Sequence, residues 1–327
     1  MSQHHGGVLT GTDFIAFDAL EARARRVAMG LETLGVGPGD CVGILMRNDT
    51  PFLEVSYAAM RLGAYAVPIN WHFKGEEVAY ILRDCEAKAL FGHGDLLAGI
   101  AGHLPGGLPN FCIETPERIR RAYHIAATEI PTGAQEYETW LGAQREHGGP
   151  VQPAPMSMIY TSGTTGHPKG VRRTAPTPEQ VEALVALRGL AYGIRPNVRA
   201  AVPGPLYHSA PNSFGLGTGK IGDLVALMER FDAEALLALI EREAIDTIFM
   251  VPTMFNRLLK LPESVRRRYD VSSLRHVIHA AAPCAPDIKK AMIEWWGPVI
   301  WEFYGSTESG PVSIASSQDA IDRKSVV

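Results

Sequence analysis

Tyr160-Thr161-Ser162-Gly163-Thr164-Thr165-Gly166-His167-Pro168-Lys169-Gly170 is the stretch on which the reading of this chain turns. Most of it is Gly, Ser or Thr, so backbone N–H groups and hydroxyls can converge on one point, which suits a polyanion such as triphosphate. Glycine lets the backbone approach a phosphate because no Cβ intervenes, and Lys169 adds a point charge. A short apolar run, residues 156–159, leads into it. The pattern is not G-x-x-x-x-G-K-[ST], the phosphate loop of the mononucleotide-binding NTPases. Here Lys169 follows Gly166 by three residues and is itself followed by Gly170. A plain Gly/Ser/Thr turn is the alternative.

Outward from this stretch, strand-like apolar runs alternate with amphipathic ones. Residues 17–34 carry apolar side chains at helical spacing, and Gly35 and Gly37 stop the helix. Residues 41–46 read as a buried strand, 52–62 as a helix, 66–69 as a strand, 76–85 as a helix and 89–92 as a strand. Residues 104–152 are rich in Gly, Pro and Thr and weakly periodic, so an irregular connection with a short helix near 119–126 is expected. Beyond it, helices are expected over 178–187, 233–243, 252–259 and 287–295. Strands are expected at 200–202, 248–251, 276–281 and 299–303, the last ending at Tyr304. Such alternation predicts an α/β chain with mainly parallel sheets and helices on their faces. We place one β/α subdomain at about 12–152 and a second at 153–321.

The 327 residues allow two or three domains and a sizeable core. A net charge of −4, with only short basic runs such as Arg266-Arg267-Arg268, gives no reason to expect nucleic acid as a partner. Cys41, Cys85, Cys112 and Cys284 show no C-x-x-C spacing and are expected to be reduced, mostly buried thiols, neither zinc ligands nor a disulfide frame. Residues 1–11 lack a basic-then-apolar leader, and no apolar run approaches about 18 residues. No membrane span is predicted, and a cytoplasmic location is the expectation.

Three further blocks join the first. Trp301-Glu302-Phe303-Tyr304-Gly305-Ser306-Thr307-Glu308 lies downstream, with Pro205-Leu206-Tyr207-His208-Ser209-Ala210 and Ala280-Ala281-Ala282-Pro283-Cys284 between. In kind and order the four blocks resemble the signatures of the AMP-forming acyl- and aryl-CoA ligases, within the adenylate-forming superfamily. The resemblance covers residues 17–316. It implies the large N-terminal domain of the adenylate-forming ligase fold. The reaction implied is activation of a carboxylic acid by ATP to an acyl adenylate, then to acyl-CoA, with AMP and pyrophosphate released. ATP, Mg²⁺ and CoA are the implied cofactors and co-substrates, and a small-molecule carboxylic acid the implied partner.

By the same resemblance, Thr161, Ser162, Gly163, Thr164, Thr165 and Gly166 wrap the β- and γ-phosphates, with Lys169 and Gly170 beside them. Thr161 and Glu308 hold Mg²⁺, a hard ion content with oxygen ligands and waters. Tyr304 and Gly305 border adenine, Ala281, Ala282 and Pro283 leave room for the base, and Thr307 bonds the α-phosphate. His208 borders the carboxylate, a satisfied core histidine being the alternative. We take His208, Thr307 and Glu308 as the catalytic candidates. The acyl pocket is expected to draw on Phe214, Leu216, Met250, Met254 and Phe255, apolar residues that suit a fatty, bile-acid-like or aryl acid.

Family members usually run to about 500 residues, past the range of a single domain. No residue here matches the family's ribose-binding Asp, hinge or C-terminal Lys domain, so the small C-terminal domain is expected to be absent and the chain alone nearly inert. Residues 322–327 are expected to be a non-native tail, for one set of their codons matches a sequencing adapter. A natural truncation is the alternative. A carrier-protein acceptor and a non-catalytic ATP- or acid-binding role are the rival functions. The sequence leaves the acid and the oligomeric state open, a homodimer included.

Overall fold

The computed structural model describes residues 4–161 and 168–322. Ser162, Gly163, Thr164, Thr165 and Gly166 therefore lie outside the described residues, as do residues 323–327 of the expected tail. In chain order the strands are β1 (Gly7–Thr10), β2 (Asp13–Ala16), β3 (Cys41–Leu45), β4 (Tyr65–Pro68), β5 (Ala87–His93), β6 (Asn110–Ile113), β7 (Gln135–Glu136) and β8 (Ile159–Thr161). They continue with β9 (Lys169–Val171), β10 (Arg199–Val202), β11 (Leu224–Leu227), β12 (Thr247–Met250), β13 (His276–His279), β14 (Ile300–Ser306) and β15 (Gly310–Ala315). The chain divides into two compact units, one drawn from 1–14, 180–205 and 217–327, the other from 15–179 and 206–216. Residues 152 and 153, between which the sequence places a subdomain boundary, both fall in the second.

The first unit is built on an eight-stranded sheet in the order β15-β14-β13-β12-β10-β11-β1-β2. Strands β14, β13, β12, β10, β11 and β1 are parallel, and β15 returns antiparallel to β14. β1, β10, β11 and β12 are buried throughout, as their short apolar runs require in a sheet covered on both faces. Helix Ala233–Glu243 starts where the Asp232 carboxylate accepts from the Ala235 N–H at 2.8 Å. It ends where Ala244 turns left-handed. Leu236, Leu237 and Ile240 on its inner face pack with Met254, Phe255 and Leu258 of Pro252–Leu259, Met292 and Trp296 of Pro286–Trp296, and Ile248 and Val277 of the sheet. Each fully buried side chain of this size contributes about 1.5–3 kcal/mol. Met250, Met254 and Phe255, expected to border an acyl group, belong to this apolar cluster.

The second unit carries an all-parallel sheet in the order β4-β3-β5-β6-β7 and, apart from it, the antiparallel β8–β9 hairpin. One cluster joins Val67, Val78, Ile81, Leu82, Leu90 and Leu97. Elsewhere Phe91 stacks on Phe111 with ring centroids 4.6 Å apart, and Tyr137 and Trp140 close around them. Glu54 is buried there, accepting from Arg23 Nε at 2.6 Å and the Tyr137 hydroxyl at 2.5 Å.

The α/β architecture with mainly parallel sheets is as expected. Residues 104–152, however, are not one irregular connection. They hold the expected short helix, at Glu117–Tyr123, and besides it β6, β7 and the helix Tyr137–Gly142. Each element is too short to show a period, and single large residues (Phe111, Tyr137, Trp140) anchor them. β13 stops at His279 because Ala281 takes φ +73°, while β14 runs past Tyr304 to Ser306. All four cysteines are free, three of them buried and Cys284 half-buried. No helix among the described residues is long and apolar enough to cross a membrane.

Candidate functional site

In the second unit, β8 and β9 pair Ile159 with Val171, Tyr160 with Gly170 and Thr161 with Lys169. The two strands thus bring Thr161 and Lys169 together at either end of the undescribed segment. Gly170 has a packing reason to be glycine: a Cβ there would stand 2.2 Å from Met158 Cε and 2.9 Å from the Tyr160 ring. Three contacts tie the hairpin to the parallel sheet's surroundings. The Tyr160 hydroxyl donates to Asp84 at 2.5 Å, the Tyr65 hydroxyl donates to the Arg173 carbonyl at 2.7 Å, and Arg172 Nη2 donates to Cys41 Sγ at 3.3 Å.

His208 also belongs to the second unit, and it is exposed. Its ring lies 4.4 Å from that of Tyr207, which in turn meets Trp71 edge-on at 6.1 Å. Loss of solvation, then the neighbouring His72, holds its pKa below the ordinary value. The segment before it is pinned by two asparagines that sequence reading missed. The Leu206 N–H donates to Asn48 Oδ1 at 2.8 Å, and Asn212 Nδ2 donates to the Leu206 carbonyl at 2.9 Å. Asn48 follows the end of β3, and its polar character in a buried position was the available signal. Beside it the Arg47 guanidinium rests against the rings of Trp71 and Tyr123, at 5.3 and 4.7 Å, and forks onto Asp95 at 2.9 and 3.0 Å.

In the first unit, His279 pairs in register with Glu302, so the segments that follow β13 and β14 leave one edge of the parallel sheet side by side. This is the edge at which open α/β sheets take ligands. Ala281, Ala282 and Pro283 are exposed there, and the Tyr304 side chain is 75% exposed, which is unusual for a large aromatic. Gly305 sits where β14 and β15 slip register, and a Cβ on it would stand 2.1 Å from the Gly310 carbonyl oxygen. The turn is closed by Ser306, whose Oγ accepts from the backbone N–H groups of Glu308 at 3.2 Å and Ser309 at 3.1 Å. Ser306 holds Thr307 and Glu308 in place, and sequence reading passed over it.

Behind this edge the Glu302 carboxylate accepts from Lys289 on helix Pro286–Trp296. His279, fully buried, lies with Nδ1 3.9 Å from Glu302 and its ring edge-on to Phe255. Burial lowers its pKa to about 4, so the ring is neutral. Among the described residues no group of three or more His, Cys, Asp or Glu side chains gathers as a metal site. The two metal candidates, Thr161 and Glu308, belong to different units.

A family model described as AMP-binding enzyme matches residues 8–326. The chain is 30% identical over 314 residues to a feruloyl-CoA synthase of an Amycolatopsis species, covering 95% of this chain and 58% of that protein. It is 29% identical over 316 residues to the long-chain-fatty-acid–CoA ligase FadD13 of Mycobacterium tuberculosis, covering 94% and 58%. Among solved structures, the inhibitor-bound N-terminal domain of FACL13 from Mycobacterium tuberculosis superposes with a TM-score of 0.76 at 26% identity, over 98% of this chain and 77% of that one. The chain thus spans little more than half the length of the feruloyl-CoA synthase and of FadD13.

Proposed function

The chain belongs to the AMP-binding enzyme family, and from that premise we propose that the whole protein activates an apolar carboxylic acid with ATP and passes the acyl group to CoA. The carboxylate oxygen attacks the α-phosphorus, pyrophosphate leaves, and the thiol of CoA then displaces AMP from the acyl adenylate. The observation that carries the reading is the exposed Tyr304 at a ligand-type sheet edge, with Thr307 and Glu308 held behind it by the Ser306 turn. A flat ring left open to solvent at such an edge is a stacking face for a base, and the small side chains of Ala281 and Ala282 leave room for it.

Each residue then has one task. Lys169 and Gly170, with Thr161, Ser162, Gly163, Thr164, Thr165 and Gly166, bind the triphosphate. Thr307 bonds the α-phosphate, where charge develops as pyrophosphate departs. Thr161 and Glu308 contribute a hydroxyl and a carboxylate, hard oxygen donors of the kind Mg²⁺ takes while keeping most of its waters. The metal would supply neutralisation of phosphate charge. His208, uncharged through its lowered pKa, borders the acid without pairing with its carboxylate. The relatives named for feruloyl and long-chain fatty acids support an aryl or aliphatic acid as substrate.

The test uses a non-hydrolysable acyl-sulfamoyl adenosine and isothermal titration. Micromolar binding to this chain, weakened about tenfold or more by Tyr304→Ala, is the expected result. Equal affinity in the two proteins would overturn the assignment of Tyr304. For the whole protein, AMP release that depends on both an acid and CoA is the corresponding assay, and AMP formation without any acid would overturn the reaction.

A further inference from the structure

Helix Pro178–Tyr192 buries one stripe of side chains and leaves the rest in water. Leu184, Leu187, Arg188, Ala191 and Tyr192, spaced as one helical face, are half-buried or buried, while Val181, Val185 and Leu190 are exposed. Arg188 is the one charged member of that stripe. Its guanidinium meets no carboxylate, hydrogen-bond acceptor or ring among the described residues. Arg195 and Arg199, further along the chain, pair with Asp246 and Asp223. Burial pushes the Arg188 pKa down, and Tyr192, one turn on, opposes the shift.

The neighbours fix where this charge lies. Gly193, just past the helix, closes on His276, the first residue of β13, whose ring would stand 2.6 Å from a Cβ there. The helix therefore finishes at the amino edge of the first unit's parallel strands. The Tyr192 ring, tilted back toward the start of the helix as helical side chains are, meets Phe249 of β12 at 6.1 Å and Phe303 of β14 at 5.4 Å. Arg188 lies one turn, about 5 Å, nearer that start, and its side chain leans the same way. The guanidinium is thus carried toward the carboxyl edge of the sheet, where ligands are taken. It is on the face opposite Tyr304. Phe249 alternates with Ile248 and Met250, which belong to the apolar cluster of the other face, and Phe303 alternates with Tyr304. A base on Tyr304 and an anion on Arg188 therefore lie on opposite sides of β14.

From this placement we propose that Arg188 binds a carboxylate at the far end of the acid, so that the substrate class is a dicarboxylic acid with an apolar body. The inference rests on the function proposed above. A guanidinium forks onto a carboxylate through two parallel N–H···O bonds, and Leu184 and Leu187 beside it suit the carbon skeleton. The carboxyl that reacts is the poorer partner, because its esterification by AMP removes the charge and strands the guanidinium. Phosphate is the poorer partner too, since Thr307 and Glu308 follow Tyr304 past the Ser306 turn. In the free chain a half-buried charge without a partner is a cost. A dicarboxylate recovers it on binding, whereas a monocarboxylic acid does not.

The experiment titrates the chain with acyl-sulfamoyl adenosines made from adipic, suberic, sebacic and terephthalic acids, each with its second carboxylate free and as the methyl ester. At least one free acid should bind about tenfold tighter than its ester. Arg188→Met should bind the two alike. Free acids that bind no tighter than their esters throughout the set would overturn the proposal, as would a preference that survives in Arg188→Met. Sulfamoyl adenosine without an acyl group separates this inference from the function beneath it. If it binds while no acid gains over its ester, the dicarboxylate assignment alone falls. If neither it nor any analogue binds, the proposed function falls and takes the assignment with it. Thermal melting of the free proteins is the second check. Arg188→Met should melt at or above the wild-type temperature, because it loses a half-buried charge that has no partner. A fall of several degrees would show the guanidinium to be paired within the chain, and that too would overturn the proposal.

Discussion

Tyr160 donates its hydroxyl to Asp84 at 2.5 Å, so the strand that leads into the phosphate segment is tethered to the end of helix Gly75–Asp84. The bond lies at the surface, and its removal should cost local order more than global stability. Tyr160→Phe is expected to weaken binding of an ATP analogue about fivefold, the equivalent of about 1 kcal/mol, with the melting temperature changed by no more than a few degrees. Titration calorimetry beside thermal melting checks this. An unchanged affinity would mean that the tether does not organise the hairpin.

Gly305→Ala would set a Cβ against the Gly310 carbonyl, a backbone atom with no rotamer to escape into. The β14–β15 pairing must open, at a cost of about 1–3 kcal/mol, and Tyr304 and Thr307 shift with it. Denaturant unfolding should report the loss, and nucleotide binding should vanish. Wild-type stability in the variant would show that the hairpin accommodates a methyl group.

Asp49 caps helix Thr50–Arg61 through the Thr50 N–H at 2.8 Å and is fully enclosed by two further partners. The Arg47 N–H donates to His93 Nδ1 at 3.2 Å, which leaves Nε2 to carry the proton toward Asp49 at 3.1 Å; Arg118 completes the set. Burial pushes the Asp49 pKa up, but His93 and Arg118 together outweigh it and hold the carboxyl below its ordinary value. The stability it contributes is present above the unfolded value of 3.8 and is lost as pH falls through the lowered one. Asp49→Asn should cost on the order of 3 kcal/mol at pH 7 and flatten the acid limb of the stability curve below about pH 4. Parallel acid limbs in the two proteins would refute it.

His279 gives the first unit an acid sensitivity of its own, at milder pH. The unfolded ring takes a proton near 6.5, while the buried ring holds out to about 4. Stability is whole above pH 6.5 and drains as pH falls through that window, by on the order of 3 kcal/mol at most. His276, stacked on Trp301 and lowered to about 4 by burial, adds to the same slope. His279→Phe should keep the edge contact with Phe255 and reduce the loss of melting temperature between pH 7.5 and pH 5. If the two proteins lose the same amount, His279 is not the source.

The long strands and helices were legible because their periods are regular: 233–243 is read to the residue, capped by Asp232 and closed at Ala244. Tyr304 stood out as a residue type, and the structure leaves it exposed. What hid was contact-dependent. Asn48 and Asn212 are ordinary asparagines until the fold brings both to Leu206. Gly170 and Gly305 read as ligand-facing glycines, yet each also answers to a neighbour inside the protein, Met158 for one and Gly310 for the other. Ser306 was overlooked because a hydroxyl that closes a turn has no signature apart from the turn.

The place of β1 has a bearing on synthesis. It pairs with β11, and the Gly6 N–H just before it donates to Asp223, 217 residues further on. A ribosome adding about 5–20 residues each second delivers that partner on the order of ten to forty seconds later. Through that interval the first strand made has only the short β2 beside it, and its other edge lies open. Nascent chains halted short of Leu224 should leave residues 7–10 open to proteolysis, whereas chains carried past Leu227 and clear of the exit tunnel should shelter them.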